Sequence, residues 1–135
     1  MILCCGEALI DMIEDNGAFT PHVGGAVFNT ARALGRLEQP VGFVSGLSTD
    51  MFGTQLRDAL QESNVDTSQV IFANRPTTLA FVQLSGGNAT YTFYDENTAG
   101  RSLDAANLPA IPGTVSTLYF GGISLIGMPA ADFYA

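Results

Sequence analysis

Two adjacent glycines followed by an asparagine, Gly24-Gly25-Ala26-Val27-Phe28-Asn29, form the run best suited to holding a ligand. Glycines just ahead of a helix let a ligand approach the backbone closely and leave the first helical amides facing outward. Asn29 falls one turn inside, and its amide both donates and accepts, as the vicinal hydroxyls of a polyol do. The same run also reads as a plain glycine turn before a helical asparagine that caps or faces water. A second candidate is Asp11, placed after the first apolar run. In open α/β sheets ligands bind outside the carboxyl ends of the strands, where a carboxylate can accept two hydroxyl protons. In isolation an aspartate there also serves in an Asx-type turn. Three other polar residues take plainer readings. His22 has no metal-ligand spacing to either cysteine and reads as surface or lid packing, Asp50 as a helix cap, and Arg101 as a solvent-facing loop residue, with contact to substrate or lid the alternative.

These residues need elements to position them. Ile2 to Ile10 is an apolar run interrupted by Gly6 and Glu7, expected to be one buried parallel strand that ends at Asp11. Residues 16–25 are irregular, with a short strand expected around Phe19 to Val23. Helical spacing of Val27, Ala31 and Leu34 follows and ends near Leu37, before Pro40. Val41 to Ser45 reads as a strand. Thr49 or Asp50 can cap a second helix bearing Phe52, Leu56 and Leu60, and Val70 to Ala73 reads as a further strand. After Pro76 the order changes: Thr77 to Leu84 and Ala89 to Tyr94 are two β-rich stretches joined by Ser85-Gly86-Gly87-Asn88, a hairpin signal. Thr117 to Phe120 is the last strand, Gly121-Gly122 a turn, and Pro129 a first helical position. Strands alternating with helices imply a parallel sheet covered on its faces, and the hairpin with the irregular early segment implies a small separate lid.

Composition narrows the function classes. At 135 residues, 47% hydrophobic and 13% charged, the chain has the makeup of one well-packed domain. The formal net charge is −8 and the five basic residues, all arginine, are scattered, so nucleic-acid binding is not expected. The absence of lysine removes a Schiff-base nucleophile and the lysine of a GxxxxGK[ST] phosphate loop. Cys4 and Cys5 are neighbours in a strand and point to opposite faces, so a mutual disulfide is not expected and a reducing cytoplasm fits best. No apolar run approaches the ~20 residues that span a bilayer, and no signal-like segment opens the chain, so a soluble protein without membrane partners is expected. No metal site is expected.

Gly6-Glu7-Ala8-Leu9-Ile10-Asp11, followed by the GGAVFNTARALGRL run from Gly24 to Leu37, resembles the opening of fructokinases in the ribokinase-like (PfkB) carbohydrate kinase family. Gly46 to Gly53 is similar to the family's G-x-x-x-D-x-x-G segment, Thr92-Phe93-Tyr94 with Thr98-Ala99 to its lid strand and loop, and Leu118 to Leu125 extends the likeness over nearly the whole chain. The resemblance implies a Rossmann-like, three-layer ribokinase-type core with a β-sheet lid formed by about residues 16–25 and 76–96. It also implies ATP-dependent phosphorylation of a small sugar, most like fructose, with ATP and Mg as cofactors of the full-length protein and a homodimer through the lid. Carried across by position, Asp11, Gly24, Gly25 and Asn29 would hold sugar hydroxyls, and Phe81, Phe93, Tyr94 and Asp95 would cover the sugar from the lid. Asp95 stands where related ketodeoxygluconate kinases carry an arginine for the substrate carboxylate, so a neutral sugar is expected, since one carboxylate repels another. The family's G-A-G-D motif, which supplies the base aspartate and an anion-stabilising helix start, is absent from the sequence. The chain is therefore expected to be an N-terminal portion, truncated before the nucleotide-binding part. It is expected to be inactive alone, with no catalytic or cofactor-binding residue of its own; the alternative is a non-catalytic sugar-binding or self-associating module.

Overall fold

A computed structural model describes residues 1–135. Its core is a parallel sheet in which β1 (Ile2–Gly6) lies between β4 (Val41–Val44) and β9 (Thr117–Gly121). Successive residues of a strand point to opposite faces, and β1 uses both. Cys4 packs with Val27, Phe28 and Ala31 of α1 (Ala26–Arg36) and with Leu56 and Leu60 of α2 (Met51–Gln61). Leu3 and Cys5 pack on the other side with Ala130, Phe133 and Tyr134 of α3 (Ala130–Tyr134). The result is helix, sheet, helix: the expected three layers, with the two cysteines free and in separate clusters. Phe28 and Phe43, both fully buried, meet edge to face at 6.2 Å, and burying a side chain of this size contributes roughly 1.5–3 kcal/mol.

Asp50 caps α2 as expected, its Oδ1 accepting the Gly53 amide at 2.8 Å. The same carboxylate also accepts the Thr77 amide at 3.0 Å and the Thr77 hydroxyl at 2.7 Å, which ties the cap to the segment entering the lid. Burial raises the Asp50 pKa, but the hydrogen bonds from Gly53, Thr77 and Ser48 outweigh it and hold the carboxyl below the usual aspartate range. A short parallel pair, β5 (Gly46–Ser48) and β6 (Ile71–Ala73), continues beside the core sheet.

The lid differs from the expectation at its start. The run from Ile2 to Ile10 is two strands in two sheets, because the chain leaves β1 at Gly6 and enters β2 (Leu9–Asp15) after Glu7 and Ala8. Asp11 is thus the third residue of a lid strand rather than the tip of a core strand. β2 and β3 (Ala18–Gly24) form a hairpin around Asn16-Gly17, and β7 (Leu79–Ser85) and β8 (Asn88–Tyr94) form another around Gly86-Gly87. All four turn residues have φ between 51° and 82°, the left-handed values that two-residue hairpin turns demand. A parallel β2–β7 pairing joins the hairpins into a four-stranded sheet ordered β3-β2-β7-β8. The lid therefore begins at Leu9, not near residue 16.

One lid face is seated on the core. Ile10 belongs to the buried cluster under α1 and α2, and Met12, Val23 and Leu79 pack against it. The opposite face carries Asp11. In the core sheet β9 is an edge strand whose Leu118, Tyr119 and Phe120 remain 38–42% exposed.

Candidate functional site

Register determines what shares a face with Asp11. It pairs with His22 on β3 and with Ala80 on β7, and Ala80 pairs with Phe93 on β8. Paired residues point the same way, so His22, Asp11, Ala80 and Phe93 form one row across the lid, on the face turned away from the buried cluster. The Asp11 carboxylate leans along β3 and occupies the space that a side chain at position 24 would need: a Cβ on Gly24 would collide with its Oδ2. Gly24 is required for room, and Gly25, with φ of 110°, for its backbone conformation. Burial raises the Asp11 pKa above the ordinary aspartate value, and the charge of His22 partly counters this.

The start of α1 is not open as the sequence suggested. Glu7, at the break between β1 and β2, turns its carboxylate onto the helix: Oε1 accepts the amides of Ala26 at 3.1 Å and Val27 at 3.4 Å, and Oε2 accepts the Ser124 hydroxyl at 3.1 Å. The Glu7 carbonyl accepts the Phe28 amide at 3.3 Å, and the Asn29 amide makes the first intrahelical bond, to Gly25. The first amides of α1 therefore have partners, and an acidic group sits where the helix dipole favours one. Asn29 lies on the exposed side of α1, one turn in, with its side chain free to meet a ligand arriving from solvent.

The four expected lid residues do not share one face. Phe81 and Tyr94 lie on the face opposite Asp11: Phe81 pairs with Met12 and Tyr94 with Leu79, and the Phe81 ring packs edge to face on Phe19 at 5.0 Å and on Tyr94 at 5.5 Å. Strand alternation assigns them to packing, not to the Asp11 side. Phe93 does share that side, stacked with Tyr91 at 6.2 Å. Asp95 is ion-paired with Arg101, whose Nε also donates to the Met128 carbonyl at 2.7 Å. Two readings change as a result. Arg101 is a part-buried partner in the cleft, the alternative to a solvent-facing loop residue, and Asp95 has a cation beside it, so it is not the lone carboxylate on which the expectation of a neutral sugar rested. Glu7, Thr78, Asp95, Arg101 and Ser124 line one concavity at the roots of the lid, where Thr78 and Thr98 share a hydrogen bond of 2.8 Å.

Two of these residues were within reach of the sequence. A charged residue inside a buried apolar run, as Glu7 is, requires a partner. Counting outward from the Asn16-Gly17 turn pairs Asp11 with His22 directly. Arg101 and Ser124 carry no such local signal.

A helix-sheet-helix core with a small lid sheet that presents a carboxylate beside a glycine pair is the ribokinase-type architecture. The pfkB family carbohydrate kinase model matches residues 1–133, and the chain belongs to that family. It is similar to a fructokinase of Rhizobium leguminosarum bv. trifolii, at 50% identity over 139 residues, covering 99% of this chain and 43% of that protein. Among solved structures, a fructokinase from Xylella fastidiosa superposes with a TM-score of 0.88 at 32% identity, covering 98% of this chain and 44% of that one. An uncharacterised sugar kinase from Pyrococcus horikoshii, solved in complex with ATP, superposes with a TM-score of 0.89 at 29% identity, covering 99% and 47%. The chain spans less than half the length of the relatives it matches.

Proposed function

We propose that this chain is the sugar-holding part of an ATP-dependent sugar kinase, with fructose the leading acceptor. The observation that carries the reading is the half-buried Asp11 carboxylate seated in the space left by Gly24, on the lid face opposite Ile10. The carboxylate accepts sugar hydroxyl protons, Asn29 and the Gly24-Gly25 backbone offer further polar contacts, and Phe93 covers a C–H face of the ring. ATP, with Mg, supplies the phosphoryl group, and the ATP-bound Pyrococcus relative supports that choice of donor. In this reading the base that deprotonates the accepting hydroxyl and the residues that hold the nucleotide lie in sequence outside these 135 residues. Positioning and exclusion of water are then the tasks of this chain's own residues. The protein works in the cytoplasm and pairs through its lid.

A family-length protein carrying this sequence is expected to phosphorylate fructose with ATP, and the 135-residue chain alone is expected to show no turnover. Turnover by the short chain would overturn the placement of the base outside it. The unpaired outer edge of β9 and its exposed apolar residues favour a second reading, a self-associating module. Sedimentation of the 135-residue chain tests it, a monomer at micromolar concentration counting against it.

A further inference from the structure

We infer that His22 is a second polar contact of the sugar site, pairing with Asp11 to select among hydroxyl patterns. The inference rests on the proposed sugar-kinase function and adds a residue to that site. His22 lies directly across the β2–β3 ladder from Asp11, and both point to the lid face opposite Ile10. Opposed residues in such a ladder have Cβ atoms about 4.5–5.5 Å apart, close enough for one hydroxyl-bearing ligand to touch both. The imidazole is exposed, so its nitrogens are available to a ligand, and its charge is felt by Asp11.

The chemistry of the row explains why Asp11 alone is insufficient. A carboxylate only accepts hydrogen bonds, whereas each sugar hydroxyl both donates and accepts. Asp11 can take two hydroxyl protons but is not itself a donor to the lone pairs of those oxygens; Asn29 and the glycine backbone lie at the helix start, outside its row. Its other neighbours in the row, Ala80 and Phe93, offer none. A ring N–H of His22 is the donor beside Asp11, so the row has a polar end, His22 and Asp11, and an apolar end, the exposed Phe93 ring beyond the buried Ala80. That division matches a sugar, which has a hydroxyl edge and a C–H face.

The test uses the family-length protein with ATP, fructose and a panel of monodeoxy fructoses, comparing the unmodified protein with His22→Ala, His22→Gln and Asp11→Asn. His22→Ala is expected to raise the fructose KM about 10-fold, the cost of one hydrogen bond to a polar ligand, with a smaller change in kcat. One deoxy sugar should lose about the same factor with the unmodified protein and nothing further with His22→Ala, because the hydroxyl and its donor are the same lost contact. His22→Gln, which keeps an N–H donor, should recover part of the loss. A purely structural role would move thermal stability without removing the penalty for a particular hydroxyl. If Asp11→Asn raises KM while His22→Ala keeps both the KM and the deoxy pattern of the unmodified protein, the His22 inference is overturned and the sugar site stands. If neither variant alters KM, the sugar site itself is misplaced and the inference falls with it.

Discussion

Replacing Asp11 by asparagine keeps shape and removes charge, so it isolates what the carboxylate contributes. Asparagine fits the space above Gly24 as aspartate does, and no cavity or collision is introduced. The lost interaction is that of a charged acceptor with one or two sugar hydroxyls. Hydrogen bonds to charged groups contribute about 1.5–3 kcal/mol, which corresponds to a fall in kcat/KM of about 10- to 150-fold. Stability should move in the opposite sense. The folded pKa of Asp11 is raised by burial, and a carboxyl shifted upward favours the fold below its unfolded pKa and loses that contribution as pH rises through the folded value. At neutral pH the ionised group opposes folding, so the variant should melt at the same temperature or higher. The assay is steady-state fructose phosphorylation by the family-length protein, alongside thermal melts at pH 7. Unchanged kcat/KM would remove Asp11 from the site. A fall in kcat/KM accompanied by a lower melting temperature would show damage to the fold and refute the separation argued above.

Gly24→Ala adds the Cβ that meets Asp11 Oδ2 and should displace the carboxylate. Its expected signature is a raised fructose KM, with Asp11→Asn adding little on top, measured as a double-mutant cycle. Phe93→Ala should raise the sugar KM while Tyr94→Ala leaves it unchanged, because only Phe93 shares the Asp11 face; equal effects in the same assay would contradict the register. Asp50→Ala removes the α2 cap and its link to Thr77 and should cost about 1–2 kcal/mol in denaturant unfolding at neutral pH. Since the folded Asp50 pKa is lowered, the stability gap to the unmodified protein should hold above the ordinary aspartate pKa and close as pH falls through the lower folded value.

Much of the core could be read from the sequence because its signals are local. The spacing of Val27, Ala31 and Leu34 marks α1, Asp50 marks the start of α2, and Ser85 to Asn88 marks the second hairpin. The break between β1 and β2 was missed because core strand and lid strand are both apolar at their junction, and only the change of sheet at Glu7 separates them. The face assignment of Phe81 and Tyr94 depends on the parallel β2–β7 register, a pairing between segments nearly 70 residues apart in sequence, for which no turn chemistry provides a count. The ion pair at Asp95 was not legible because it forms within an irregular loop, where no periodicity sets the position of Arg101, and Arg101 is also held by the Met128 carbonyl after β9. Asp11, Gly24 and Gly25 could be marked as candidates from their residue types beside an apolar run and a helix start, with plain turn readings equally open until the family resemblance is added; that Glu7 would occupy the helix start beside them was not legible.

The most direct measurement is a crystal structure of the family-length protein with fructose bound. The sugar is expected between the lid and the start of α1, with a hydroxyl hydrogen-bonded to the Asp11 carboxylate and Phe93 against its C–H face. Fructose bound on the Phe81 and Tyr94 side of the lid, or elsewhere with Asp11 solvated, would contradict it.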